Sequence, residues 1–292
     1  MMKFEGVFTA LVTPFNSDGS LDEGALRNHV EAQIAGGVAG LVPMGTTGES
    51  ATLSHEEHVH AIGIVVDQAR KRVPVIAGTG SNATQEAIDM SRRAVELGAD
   101  ATLQVAPYYN KPGQEGFYAH FAAVADAVEV PHILYNIPGR CAQNVEAETI
   151  LRLAKHPNIA GIKEASGSLA QIMQIIADSP ADFSVLSGDD AWAFPLVALG
   201  GQGVVSVASN VIPDKLSSMI AEGLSGNIAA ARKEHYGLLD FFGALFVETN
   251  PVPVKYALAV QGKMRESYRL PLVPLKPESR KVVEEAMKKL GI

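Results

Sequence analysis

Short apolar, β-branched runs recur along this chain at intervals that each leave room for one helix, and this rhythm restricts the fold more than any other feature. The runs cover residues 7–12, 40–43, 73–77, 102–106, 132–136, 159–163, 183–187 and 204–207. Their starts lie about 20 to 35 residues apart, the length of a strand-loop-helix unit. Runs such as Val73-Pro74-Val75-Ile76 and Ala160-Gly161-Ile162 are apolar rather than alternating, as strands become when helices cover the outer face of the sheet. Helix starts are marked between them. Ser20-Leu21-Asp22-Glu23, Ser54-His55-Glu56-Glu57 and Ser168-Leu169-Ala170-Gln171 each have the spacing of a capping box, in which a hydroxyl and a later side chain satisfy orphan N–H groups. Eight such units predict an α/β chain closed into a (β/α)8 TIM barrel over residues 1–224. Residues 225–292 carry only helical patterns, at 228–246, 253–261 and 277–290, and no flexible linker precedes them. They are read as a C-terminal helical extension packed on the barrel.

Charge and cysteine content narrow the function. Lys and Arg number 24 against 32 Asp and Glu, a net charge of −8, so no cationic excess is available to displace counterions from a nucleic acid. A single cysteine, Cys141, excludes an internal disulfide framework and a multi-thiolate zinc site. The first residues, Met1-Met2-Lys3-Phe4-Glu5-Gly6, lack the apolar stretch of a signal peptide. A cytoplasmic protein with no membrane partner is expected. Residues 191–213 include no charge, a run of 23, which is long enough to cross a bilayer. Pro195, Gly200, Gly201, Gln202 and Gly203 instead break it into a short helix, a turn and a strand.

In a barrel of this kind the active site lies at the C-terminal ends of the strands. Those positions hold Gly45-Thr46-Thr47-Gly48-Glu49, Gly78-Thr79-Gly80, Tyr108-Tyr109-Asn110, Tyr135-Asn136, Lys163-Glu164, Gly188-Asp189-Asp190 and Ser206. Lys163 closes an apolar strand. If its amine enters a desolvated barrel mouth, the charged form is penalised and the pKa falls. A drop from about 10.4 to roughly 7.5 raises the neutral fraction at pH 7 several-hundredfold, and a neutral amine forms a Schiff base with a ketone. The other reading of position alone is a lysine whose stem packs while its ammonium pairs with Glu164. Tyr135, one strand before, is either a proton shuttle facing the lysine or an aromatic packed at the rim. Gly45 to Gly48 is either an anion-holding turn or a simple loop before a helix cap. It lacks the ending of a P-loop, and Glu49 is expected to repel a polyphosphate, so a carboxylate suits it better.

Three further patterns are set aside. Gly78-Thr79-Gly80-Ser81-Asn82-Ala83 fits a loose dinucleotide fingerprint, but Gln104 and Ala106 stand where the next strand needs an acidic residue. His55, His58 and His60 suggest metal ligands, yet His55-Glu56-Glu57-His58 has i,i+3 spacing rather than the i,i+4 of a zinc-protease helix. No metal is expected there. Cys141 has no evident base beside it and is read as a bystander.

As a set, these residues resemble the dihydrodipicolinate synthase family, within the N-acetylneuraminate lyase group of Schiff-base pyruvate aldolases. The motifs that carry the resemblance are Gly45-Thr46-Thr47-Gly48-Glu49-Ser50, Pro107-Tyr108-Tyr109-Asn110 and Leu134-Tyr135-Asn136-Ile137-Pro138-Gly139-Arg140. Gly161-Ile162-Lys163-Glu164-Ala165, Leu186-Ser187-Gly188-Asp189-Asp190 and Asn250-Pro251-Val252-Pro253-Val254-Lys255 complete them. The similarity runs from residue 9 to about residue 275. It implies that Lys163 forms an imine with pyruvate, with no other cofactor. Thr46 and Thr47 would hold the pyruvate carboxylate, while Gly188 and Val205 line the pocket. Thr47, Tyr135 and Tyr109 would form a proton relay, with Tyr109 entering from a neighbouring subunit of a homotetramer. Arg140 would grip the carboxylate of L-aspartate 4-semialdehyde, giving 4-hydroxy-tetrahydrodipicolinate on the diaminopimelate and lysine route. A second site is implied at Ser50, Ala51, His55, His58, Asn82, Glu86 and Tyr108, where L-lysine would bind as a feedback inhibitor. The alternative is another pyruvate lyase of the same group, acting on N-acetylneuraminate or a 2-keto-3-deoxy sugar acid. Arg140 in its Tyr-Asn-x-Pro-x-Arg context favours the synthase.

Overall fold

The computed structural model describes residues 3–292. Met1 and Met2, which open the segment read for a targeting signal, lie outside the described residues. Strands and helices alternate from the start. β1 (Gly6–Ala10) is followed by α1 (Glu23–Ala35), β2 (Gly40–Val42) by α2 (His55–Ala69), and β3 (Ile76–Gly78) by α3 (Thr84–Glu96). β4 (Ala101–Val105) leads to α4 (Gln114–Ala127), and β5 (His132–Asn136) to the single turn α5 (Pro138–Cys141) and then α6 (Ala147–Leu153). β6 (Ile159–Glu164) precedes α7 (Leu169–Asp178), β7 (Ser184–Ser187) precedes α8 (Asp190–Ala198), and β8 (Gly203–Ser206) precedes α9 (Pro213–Leu224). Three helices follow, α10 (Ile228–Ala244), α11 (Val252–Val260) and α12 (Pro277–Leu290).

All strand pairs are parallel, and the sheet order runs β2-β1-β8-β7-β6-β5-β4-β3. The ring is completed between its two ends. Leu41 bridges Val75, Leu41 N donates to Pro74 O at 3.0 Å, and Gly78 N donates to Pro43 O at 2.9 Å. At the other seam β8 returns to β1 so closely that a Cβ on Gly203 would lie 2.0 Å from Gly6 O. Only glycine permits that approach, and the residue also has φ +147°. The barrel interior is filled by Phe4, Phe8, Ile76, Leu103, Ile133, Ala160, Leu186 and Val205. Phe241 and Phe242 of α10 and Val254 and Leu258 of α11 join the same apolar core as Leu41, Val204 and Leu216. The three C-terminal helices therefore share buried surface with the barrel.

Three local expectations need correction. The third strand begins at Ile76 rather than at 73, because Pro74 has no N–H to give to a ladder. Ser20 does not cap α1. Its hydroxyl bonds to Asp18 at 2.6 Å, and Asp22 takes the cap by accepting from Ala25 N at 2.9 Å. Ser54 forms the full reciprocal box with Glu57. Ser168 forms half of one, since the Gln171 side chain turns instead to Asn144, Val145 and Glu164. Asp22→Ala is expected to lower stability by about 1 kcal/mol, as loss of an N-cap does. Ser20→Ala should change it by no more than about 0.5 kcal/mol. Urea unfolding of the two variants side by side checks the assignment.

Candidate active site

Successive side chains of a strand point to opposite faces, so along β6 Lys163 turns into the barrel and Glu164 turns out. The Glu164 carboxylate is occupied there by Ser166 N at 2.6 Å, Asn136 Nδ2 at 3.0 Å and Gln171 Nε2 at 3.3 Å. No ion pair joins it to Lys163 among the described residues, so the simple surface-pair reading of this lysine does not hold. Lys163 is only 6% exposed, and its Nζ lies 4.1 Å from the centroid of the Tyr135 ring. Burial brings its pKa down to about 7, with the Arg140 charge helping and the Asp190 carboxylate opposing. Relative to an ordinary lysine the neutral share at pH 7 rises roughly a thousandfold. Gly188, at the end of the neighbouring strand, makes room for the amine's stem. A Cβ there would stand 2.7 Å from Ala165 Cβ and 3.2 Å from Lys163 Cε.

Asp190 opens α8 inside the barrel mouth and is fully enclosed. Its Oδ2 accepts from Val207 N at 3.1 Å and Ala208 N at 2.9 Å, which ties down the turn after β8. Burial raises its pKa to about 6 in spite of those bonds. Val205, on β8, is buried among the interior side chains with Tyr135 and Leu186. Sequence reasoning placed Asp190 among the residues at the strand ends without giving it this task.

The stretch after β2 forms two tight 3₁₀ turns, Thr46–Gly48 and Ser50–Thr52, joined by Glu49 in the left-handed region at φ 55°. Thr47 is buried, and its Oγ1 accepts from Asn250 Nδ2 at 3.0 Å. Thr13 Oγ1 holds the same turn through Gly48 O at 2.6 Å. Glu49 is not the repelling charge the sequence suggested. Lys255 Nζ meets its Oε1 at 2.5 Å with both side chains fully buried, and Arg269 N donates to its Oε2 at 3.2 Å. Neither Asn250 nor Lys255 had been given a role from sequence, although both lie in the Asn250-Pro251-Val252-Pro253-Val254-Lys255 motif.

Tyr135, Arg140 and Cys141 line one cavity. Tyr135 is buried, and desolvation pushes its phenol up beyond the ordinary tyrosine range. No hydrogen bond links it to Thr47 among the described residues. Arg140, on α5, donates from Nη2 to Asn250 O at 3.2 Å. Cys141 gives its thiol proton to Ala106 O at 3.1 Å, and burial raises its pKa to about 11, so it stays a thiol. Tyr109 does not reach this cavity. It sits at φ 69° on a surface loop, 90% exposed.

A cavity of about 540 Å³ begins at Thr46, Tyr135 and Arg140 and continues past Ser50 and Ala51 to His55, His58, Glu86 and Tyr108. In its far lobe His55 Nε2 lies 2.8 Å from Glu86 Oε1, and Ser81 also bonds to Glu86. His58 Nε2 must carry its hydrogen, because its partner at 2.7 Å is the carbonyl of Gly78. Burial lowers the pKa of His58. Asn82 Nδ2 donates to Tyr108 O at 3.1 Å. Among the described residues no group of three or more His, Cys, Asp or Glu is placed to hold a metal ion. No helix among them is long and apolar enough to cross a membrane.

The model of the Dihydrodipicolinate synthetase family matches residues 3–290. The 4-hydroxy-tetrahydrodipicolinate synthase of Koribacter versatilis is 52% identical over 292 residues, which cover 100% of this chain and 97% of that protein. Two solved structures are similar throughout. The chloride-inhibited dihydrodipicolinate synthase from Acinetobacter baumannii, complexed with pyruvate, aligns with a TM-score of 0.97 at 43% identity, covering 99% of both chains. The enzyme from Cyanidioschyzon merolae with lysine bound aligns at 0.96 and 43%, covering 99% of this chain and 98% of that one.

The buried lysine has a pH signature. Only the neutral amine attacks a carbonyl, so the rate at which Lys163 is trapped by a keto acid and borohydride should climb with pH through a midpoint near 7. A midpoint near 10, as for a solvated lysine, would contradict the desolvation described above.

Proposed function

The chain belongs to the dihydrodipicolinate synthetase family, and from that premise we propose that it is a 4-hydroxy-tetrahydrodipicolinate synthase. It condenses pyruvate with L-aspartate 4-semialdehyde on the diaminopimelate and lysine route, as the name of its 52% identical relative implies. The observation that carries this reading is the burial of Lys163 near the end of β6, 6% exposed with its Nζ 4.1 Å from the centroid of the Tyr135 ring. Its neutral amine adds to C2 of pyruvate, one proton is taken up and water leaves, giving a protonated imine. That imine is the electron sink of a class I aldolase-type lyase, so the chemistry needs no further cofactor. Loss of a C3 proton yields an enamine, whose C3 attacks the aldehyde carbon. The substrate's own amine then attacks C2, closes the ring and expels Lys163.

The remaining roles are those the family resemblance implies for these residues. The N–H groups and hydroxyls of Thr46 and Thr47 take the pyruvate carboxylate, with Gly188 and Val205 shaping the floor. Tyr135 and Thr47 pass protons, joined by Tyr109 from a second copy of the chain. A phenol that is 90% exposed and carried on a strained loop suits that use better than a packing one. The assembly is accordingly a homo-oligomer, a tetramer built as a dimer of dimers, and it works in the cytoplasm. Arg140 binds the carboxylate of the semialdehyde, which distinguishes this reading from a lyase of N-acetylneuraminate or a 2-keto-3-deoxy sugar acid. The far lobe, at Ser50, Ala51, His55, His58, Asn82, Glu86 and Tyr108, takes L-lysine as inhibitor. The Glu86 carboxylate there suits an ammonium group.

Borohydride reduction with pyruvate should add one pyruvate-derived mass to the peptide bearing Lys163, and none in Lys163→Ala. Arg140→Ala should reduce kcat/KM for the semialdehyde on the order of 10- to 100-fold, the worth of a charge-assisted hydrogen bond or two. An unlabelled Lys163, or an Arg140→Ala enzyme of native efficiency, would sink the synthase reading. Calorimetry should register heat on adding L-lysine to the native chain and much less with Glu86→Ala. Silence in the native chain removes the inhibitor site and leaves the catalytic reading intact.

A further inference from the structure

Asn250 stands at the entrance to α11, 6% exposed, and touches both halves of the proposed site with different atoms. Its Nδ2 donates to Thr47 Oγ1 at 3.0 Å, and its main-chain carbonyl accepts from Arg140 Nη2 at 3.2 Å. The structure assigns Asn250 as a positioning residue that sets the direction in which the Thr47 hydroxyl gives its proton, while its carbonyl independently fixes Arg140. This inference rests on the roles given above to Thr47 and Arg140.

A hydroxyl has a single hydrogen and two lone pairs, and an asparagine side chain has two N–H donors on nitrogen and none on oxygen. With an N–H of Asn250 occupying a lone pair of Thr47, that hydroxyl's one hydrogen is left to be given elsewhere. The opposite amide orientation would present oxygen to Thr47 and absorb its hydrogen, leaving only a lone pair for other partners. The structure has Nδ2, not Oδ1, on Thr47. As placed, the amide leaves one buried acceptor, Oδ1, without a partner. Thr47 thus receives behind and gives in front, the sense a proton relay requires. The second contact takes one N–H of the Arg140 fork, and a guanidinium has five, so the rest stay available to a carboxylate. A single residue of the C-terminal extension therefore aligns the group that handles the first substrate's protons and the group that grips the second substrate.

The test is steady-state kinetics of the full chain with both substrates. The variants are Asn250→Ala, Asn250→Asp, Thr47→Val and the Asn250→Ala/Thr47→Val pair. Asn250→Asp keeps the shape and, when ionised, offers acceptors only. Both single changes at Asn250 should lower kcat roughly 10- to 100-fold, less than the full worth of a positioned proton transfer. The KM for the semialdehyde should stay within about twofold, because the carbonyl that holds Arg140 survives each substitution. The double variant should be no slower than Thr47→Val alone, since both changes remove the same function. Native kcat in Asn250→Asp, losses that multiply in the double variant, or an effect confined to KM would each overturn the inference. Pyruvate trapping on Lys163 guards against a fold defect. If the native chain is labelled and neither Asn250 variant is, the residue is merely structural and the inference fails. If the native chain itself is not labelled, the functional reading falls first and this inference with it.

Discussion

An ammonium ion loses several kcal/mol of solvation when a β-barrel closes over it, and this chain directs one side chain to that fate. Lys163 is paired across the sheet with Tyr135 on one side and Leu186 on the other, so neither neighbour strand offers a carboxylate. Gly188 leaves room for the stem, and the face of the Tyr135 ring lies 4.1 Å from Nζ. The displacement from 10.5 to about 7 corresponds to roughly 5 kcal/mol of differential interaction between the two protonation states. The sign is informative. Because the folded pKa lies below the unfolded one, the charged amine opposes folding in full below about pH 7. That penalty fades as pH rises from there toward 10.5. Reactivity and destabilisation come from the same burial, so the rest of the barrel has to be rigid enough to bear it.

Part of that rigidity comes from outside the barrel. The loop after β2 is gripped by the C-terminal extension through the buried Lys255–Glu49 pair and through Asn250 on Thr47. Lys255 Nζ also lies 4.4 Å from the Phe15 ring centroid, and Arg269 shares that ring at 4.6 Å while bonding to Glu57. A buried pair adds little net stability over an apolar substitute, yet removing one partner costs about 3–5 kcal/mol because the other charge is stranded. Such a pair acts as a lock. It specifies where Glu49 sits and therefore the shape of the turn that carries Thr46 and Thr47. The extension is for this reason a component of the site, although none of its residues was expected there.

How much of this was legible in the sequence follows from the range of the interactions. Strand positions were readable because apolar runs and helix caps are local signals, and the largest shift, the start of β3 at Ile76 rather than 73, falls just after Pro74, a residue whose missing N–H is itself visible in the sequence. The lysine's environment was readable in outline, since a charged residue ending an apolar strand has few destinations. What position alone left open was which way Lys163 faced, and the outward anchoring of Glu164 by Asn136 and Ser166 decides it. The tasks of Asn250 and Lys255, residues of a quoted motif, were not readable for another reason. Asn250 reaches Thr47 across 203 positions, and Lys255 reaches Glu49 across 206. No periodicity in a single sequence encodes such partners. Ser20 shows the opposite failure, where a local rule named the wrong cap because Asp22, two residues on, satisfies α1 equally well.

The two ends of the cavity also share one stretch of backbone. Thr46 and Thr47 sit on the first of two consecutive 3₁₀ turns, and Ser50 and Ala51 on the second, with Glu49 as the hinge in a left-handed conformation. A non-glycine residue held there stores backbone strain of order 1–3 kcal/mol, which persists only while its surroundings impose it. The surroundings here are Lys255 and Arg269, which hold the carboxylate and leave the turns on either side coupled through the backbone between them. Under the proposed reading, an inhibitor in the far lobe meets one turn while pyruvate meets the other. Any ligand that prefers one setting of the Glu49 hinge then changes the affinity at the other lobe by the same factor in both directions. A shared hinge of this kind requires no long chain of side-chain displacements, since the distance to be bridged is the length of two turns.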